Sequence, residues 1–189
     1  MTSTIDTGQG DGSVLAMGQA RFPLRPGDLL ADAWRDFLGE FPWEWFCTLT
    51  FRDSVHPEAA FKTFRYWIAL LNAEEWGRRW RRRTDARGGV HWVCALEWQK
   101  RGVLHFHALV GADRAVQGAR QDVLYRHDRR RWAQKWDDLA GFARIDLIED
   151  CEQAVHGYVS KYVAKGGQIE LSANVESRGR AVSTRLALS

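Results

Sequence analysis

The sequence predicts an α+β fold, a ferredoxin-like or RRM-like antiparallel sheet with helices packed on it. Three observations predict it. Runs with the two-residue period of a strand alternate with runs at helical spacing. Two of the strand-like runs are separated by only a short turn, Lys100-Arg101-Gly102. The order is strand, helix, hairpin, helix, strand, helix, and its first six elements match a split βαβ arrangement. About four strands with helices on one face are expected. At 189 residues a single domain is expected, large enough to bury a core.

Residues 1–20 are rich in Gly, Ser and Thr and read as a disordered leader. Asp28 then caps a short amphipathic helix through Leu38 that ends near Gly39. Trp43 to Phe51 is aromatic and β-branched, hence a strand. Ser54 as a cap and Pro57 just inside it open a helix. Phe61, Phe64, Trp67, Ile68, Leu71 and Trp76 continue it at helical steps, to about Arg83. Val90 to Gln99 reads as the next strand and Val103 to Val110 as its hairpin partner. A helix is expected from about Arg120 to Leu139, a strand from Phe142 to Ile148, and a last helix from Glu152 to Lys165, closed by Gly166-Gly167. The expected domain covers 21–167, with 168–189 as a polar C-terminal tail.

The net charge is only +3, but it is unevenly spread. Residues 1–75 carry 6 basic and 11 acidic side chains, whereas residues 76–189 carry 21 and 13. The basic part favours a polyanionic partner such as nucleic acid. Its candidate phosphate contacts are Arg78, Arg79, Arg81, Arg82 and Arg83 at the end of one expected helix, Arg101 in the hairpin turn, and Arg129, Arg130 and Arg131 on another. Cys47, Cys94 and Cys151 are widely spaced and form no CxxC pattern, so they are expected to be reduced. With no signal peptide or long apolar span, a soluble cytoplasmic protein is expected, without a membrane partner.

Two stretches carry chemistry. In Val103 to Val110, His105 and His107 are two residues apart on a strand and share a face. Two imidazoles in an apolar setting need partners for their nitrogens, and a divalent metal would satisfy both. Glu97 lies across the turn. A hairpin centred on Arg101 or on Gly102 would pair it with His105 or with His107; a centre between them would turn it to the other face. Two imidazoles and a carboxylate suit Mg²⁺, Mn²⁺ or Zn²⁺, with positions left open for substrate oxygens. The second stretch is Tyr158-Val159-Ser160-Lys161-Tyr162-Val163-Ala164-Lys165, a doubled YxxK. On a regular helix, Tyr158, Lys161, Tyr162 and Lys165 fall within an arc of about 100°. A phenol there can attack a phosphodiester while lysine stabilises the developing charge.

Taken in order, Phe46 to Phe51 (FCTLTF), Glu97 with His105 to His107 (HFH), and Tyr158 to Lys165 (YVSKYVAK) resemble the three motifs of the HUH endonucleases. The doubled tyrosine is similar to that of the two-tyrosine rolling-circle replication initiators of small phages and plasmids. The resemblance spans about residues 43 to 167. It implies the HUH endonuclease fold and a nuclease, dependent on Mg²⁺ or Mn²⁺, that nicks single-stranded DNA at a replication origin. Such an enzyme leaves a 5′-phosphotyrosine and a free 3′-hydroxyl, and can rejoin ends. It implies His105, His107 and Glu97 as metal ligands, Tyr158 and Tyr162 as nucleophiles, and Lys161 and Lys165 as their companions. Thr48 and Thr50 share a strand face and are assigned no chemistry. There is no Walker-type GxxxxGK[ST], so a separate helicase is expected as partner. The alternatives are a single-tyrosine transposase or relaxase and a non-catalytic RRM-like module that stacks bases on its sheet.

Overall fold

The computed structural model describes residues 26–82, 89–99, 101–116, 119–163 and 168–177. Its elements are α1 (Pro26–Gly39), β1 (Trp45–Thr50), α2 (Pro57–Trp76), β2 (His91–Trp98), β3 (Leu104–Gly111), β4 (Asp113–Val116), β5 (Ala119–Asp122), α3 (Arg129–Leu139), β6 (Ala143–Leu147), α4 (Cys151–Tyr158) and β7 (Gln168–Leu171). Five strands form an antiparallel sheet in the order β6-β1-β3-β2-β7, and β4 and β5 form a small hairpin of their own. The α+β class and the antiparallel sheet agree with the sequence reading.

Helices cover both faces rather than one. Strand alternation puts Trp45, Cys47, Leu49, Phe106 and Ala108 on one face, where they meet Phe61, Phe64 and Trp67 of α2 and Trp132 and Trp136 of α3 in one apolar core. The other face presents Val93, Ala95 and Leu109 to Leu38 of α1 and to Val155 and Tyr158 of α4 in a second core. Seven of the ten tryptophans are buried (Trp43, Trp45, Trp67, Trp76, Trp92, Trp132 and Trp136), which accounts for their strand and helical spacing. The carboxylate of Glu44 is buried too. It accepts hydrogen bonds from the backbone N–H groups of Ala112 (3.0 Å), Leu124 (2.6 Å) and Tyr125 (3.1 Å), tying the entry of β1 to the segment that leads into α3.

Five boundaries differ from the sequence expectation. α1 starts at Pro26, so Asp28 lies within it rather than capping it. α2 is capped by His56, whose side chain accepts from Glu58 N–H, and stops at Trp76, because Gly77 turns the chain at φ 82°. Arg78 and Arg79 are therefore in a turn, and Arg81 and Arg82 in a short 3-10 helix, rather than on α2. The helix expected from Arg120 starts at Arg129, where Asp128 accepts from Arg130 N–H at 2.9 Å; residues 119–122 pair with 113–116 instead. α4 is a regular helix only to Tyr158, and Val159–Val163 continue as a π-helical turn. Gln168–Leu171, within the stretch expected as a tail, forms the edge strand β7 against β2. No helix among the described residues is long and apolar enough to cross a membrane.

Candidate active site

The site is built on the β2–β3 hairpin and closed by α4. Gly102 takes φ 74° in the turn, a conformation that glycine adopts without steric cost. The hairpin then centres on Arg101, so Glu97 pairs with His105 and Ala95 with His107. This is the first of the two alignments that keep the carboxylate on the histidine face. On the other side of β3, β1 places Thr50 opposite His105 and Thr48 opposite His107.

The three expected ligands share this face without forming a closed cluster. His107 Nε2 lies 3.2 Å from Glu97 Oε2, and the His105 and His107 ring centroids are 4.3 Å apart. Nδ1 of His105 is turned to Gln99 Nε2, 2.9 Å away, and to Thr50 Oγ1 at 3.0 Å; Nδ1 of His107 is 3.4 Å from Thr48 Oγ1. As these side chains stand, no group of three or more His, Cys, Asp or Glu among the described residues has the spacing to hold a metal ion. The donor chemistry nevertheless suits one. Burial, reinforced by His105 and Lys161, holds the His107 pKa down to about 3. Burial also lowers that of His105, with Lys161 and Arg101 adding to the effect and Glu97 opposing it. Both rings are thus neutral at physiological pH, as ligation requires. The His107–Glu97 contact is then a neutral N–H donating to a carboxylate rather than an ion pair.

The two tyrosines stand differently, which the regular-helix projection does not show. Tyr158 is 1% exposed, and its hydroxyl donates to the His107 backbone carbonyl at 3.1 Å. Burial raises its pKa well above the ordinary phenol value, with Cys94 and Tyr162 adding to it. One π-helical turn on, the Tyr162 ring stacks on His107, with centroids 4.6 Å apart and planes at 21°. Its hydroxyl is buried and has no hydrogen-bond partner among the described residues. Burial and the charge of Glu97 raise its pKa as well, so the resting phenol is protonated. Lys161 Nζ lies 5.0 Å from the Tyr162 ring centroid. Lys165 lies outside the described residues. An open groove of about 580 Å³ runs past Phe46, Ile148, Glu149, Tyr158, Lys161 and Tyr162.

Of the nine candidate arginines, Arg101 stands at the site. Its Nε donates to Gln99 Oε1 at 2.9 Å, and Gln99 in turn reaches His105. Arg78, Arg79, Arg81 and Arg82 follow α2. Arg81 lines a cleft with Trp80, Val90 and Trp92, at the end of β2 roughly 20 Å from Glu97 by strand rise. Arg83 lies outside the described residues. Arg129, Arg130 and Arg131 are on α3, which packs on the opposite sheet face. There Arg131 and Lys135 pair with Glu74, and Arg129 reaches the Ile145 carbonyl at 3.4 Å. Residue-by-residue reading missed the parts played by Thr48, Thr50, Gln99 and Phe46, whose ring stacks on His107 with centroids 6.0 Å apart. The signal was the TxT spacing of β1 matching HxH of β3, which becomes readable once the two strands are paired.

No curated protein and no solved structure matches the chain. A family model for the replication-associated protein ORF2 matches residues 44–167, from the entry of β1 past the tyrosine turn. The match takes in well over half of the sequence and every residue of the site described above, and on it the chain belongs to the replication-associated protein ORF2 family.

Proposed function

We propose that the protein is a metal-dependent endonuclease that nicks and rejoins single-stranded DNA to initiate rolling-circle replication of a phage or plasmid. The observation that carries the reading is the Tyr162 hydroxyl, buried and unpartnered among the described residues, on a ring stacked against His107. A buried polar atom without a partner costs stability, and at this position it is the nucleophile waiting for a phosphate. The family is one of replication-associated proteins, which agrees with a DNA substrate.

In this reading the Tyr162 oxygen attacks a DNA phosphorus. The bond to the 3′-oxygen breaks, and that oxygen leaves as a hydroxyl once protonated. The phenolic proton is lost, and the 5′-phosphate stays on Tyr162. Attack by a 3′-hydroxyl reverses the steps and rejoins DNA. His105, His107 and Glu97 would hold Mg²⁺ or Mn²⁺, which when bound polarises the phosphate; the three side chains must draw closer to share one ion. Lys161 and Arg101 supply positive charge to the phosphate and the developing phenolate. The groove beside Tyr162 gives the strand a path. Tyr158 can attack in a second cut only after its hydroxyl leaves the His107 carbonyl, so the geometry favours Tyr162 first. A separate helicase would supply the unwinding, and the place of action would be the cytoplasm. A base-stacking RRM-like module is less well supported, because α1 and α4 pack on the sheet face that would have to receive bases.

Cleavage of a single-stranded oligonucleotide should require Mn²⁺ or Mg²⁺ and stop with chelator. His107→Ala should lose at least about 90% of it, a loss well within the 10–100-fold typical even for a ligand's outer-shell partners. Undiminished cleavage in chelator would refute the metal assignment.

A further inference from the structure

We propose that Thr48 and Thr50 are positioning residues for the histidine pair, their hydroxyls holding Nδ1 of each ring so that Nε2 is left to the site. The inference deepens the proposed function and rests on it for the role of the histidines as ligands. Thr50 Oγ1 is 3.0 Å from His105 Nδ1, and Thr48 Oγ1 is 3.4 Å from His107 Nδ1. The strand register sets both contacts, Thr50 opposite His105 and Thr48 opposite His107. A β-branched side chain has few χ1 states, so each hydroxyl is confined to its place over the neighbouring ring.

An imidazole ligand binds through one bare nitrogen and needs an acceptor for the N–H on the other. Which nitrogen carries the proton follows from the hydrogen bond that its partner makes. In the form described, the Nε2–H of His107 faces Glu97. Its Nδ1 is then bare, and the Thr48 hydroxyl donates to it. When Nε2 becomes a ligating atom, the proton resides on Nδ1 and the same hydroxyl accepts it. A hydroxyl can do both, so Nδ1 keeps a partner in either form. At His105, Gln99 Nε2 also meets Nδ1, and Arg101 holds the amide in that orientation through Oε1. An amide nitrogen only donates, so Gln99 serves the metal-free form and Thr50 serves both.

Thr48→Val and Thr50→Val keep the side-chain shape and remove the hydroxyl, and Val suits a strand. Thr→Ser at either position keeps the hydroxyl. Imidazole nitrogen NMR of the metal-free protein reads the tautomers, and calorimetry with Mn²⁺ reads affinity. Each wild-type ring should show one tautomer. Each valine variant should shift the Nδ1 signal of the facing ring, less at His105, where Gln99 still donates, and should bind Mn²⁺ about tenfold or more weakly. The serine variants, which keep the hydroxyl but lose its confinement, should fall between wild type and valine. Wild-type spectra in both valine variants would overturn the inference, whether or not affinity falls. If the wild-type protein binds no Mn²⁺, the metal assignment fails, and the metal-free spectra still decide the role of the threonines. Should a valine variant lose the sheet, serine against alanine at the same position makes the same comparison.

Discussion

Tyr158 and Tyr162 are the same side chain in the same motif, yet their hydroxyls stand in different environments. The Tyr158 hydroxyl is spent on the His107 carbonyl, inside the core between the sheet and α4. A buried hydrogen bond of this kind contributes about 1 kcal/mol. The Tyr162 hydroxyl makes none among the described residues, and removing it relieves a buried polar group. Tyr158→Phe should therefore lower stability by about 1 kcal/mol and still form a covalent adduct with DNA. Tyr162→Phe should leave stability unchanged or slightly higher and form no adduct. Urea unfolding and a denaturing gel measure the two properties on the same samples. A Tyr158→Phe variant that folds normally but forms no adduct would reverse the assignment.

At the scale of elements, the site depends on a hairpin held in register and on a sheet held between two helix layers. The layer behind the site is clamped where α2 meets α3. Glu74 of α2 accepts from Arg131 at 2.9 Å and from Lys135 at 3.1 Å, and Lys135 also lies 3.9 Å from the Trp132 ring centroid. Burial pushes the Glu74 carboxyl up, but the hydrogen bonds and charges of Lys135 and Arg131 outweigh it and hold the group below the ordinary 4.5. A carboxyl lowered in the folded state binds fewer protons there than in the unfolded chain. Its contribution is present above about pH 4.5 and is lost as pH falls through the lowered value. Glu74→Gln should lower stability at neutral pH and make the decline below about pH 4.5 shallower. Equal slopes for the two proteins in acid unfolding would show that the clamp contributes nothing. Of the α3 arginines, read from charge alone as phosphate contacts, Arg131 is held in this clamp.

For the whole molecule, the sequence was legible where periodicity is local. HxH at a strand period placed both histidines on one face, and counting across the turn left Glu97 two alignments out of three on that face. The register chose one of them. The alternation of strand and helix runs pointed to the α+β class. What was hidden depends on pairing between distant segments or on backbone detail. Thr48 and Thr50 acquire their role only when β1 lies on β3. The second helix layer needs α1 to meet α4 on one face of the sheet. The π-helical turn that separates the fates of the two tyrosines has the composition of an ordinary helix. The central claim is that these parts converge so that one phenol attacks DNA. Its most direct test is to incubate the protein with single-stranded DNA and Mn²⁺, digest the covalent adduct, and map the modified peptide by mass spectrometry. The account predicts a 5′-phosphonucleotide on Tyr162, absent from Tyr162→Phe and from samples with chelator. An adduct carried only by Tyr158, or on a peptide containing neither tyrosine, would contradict it.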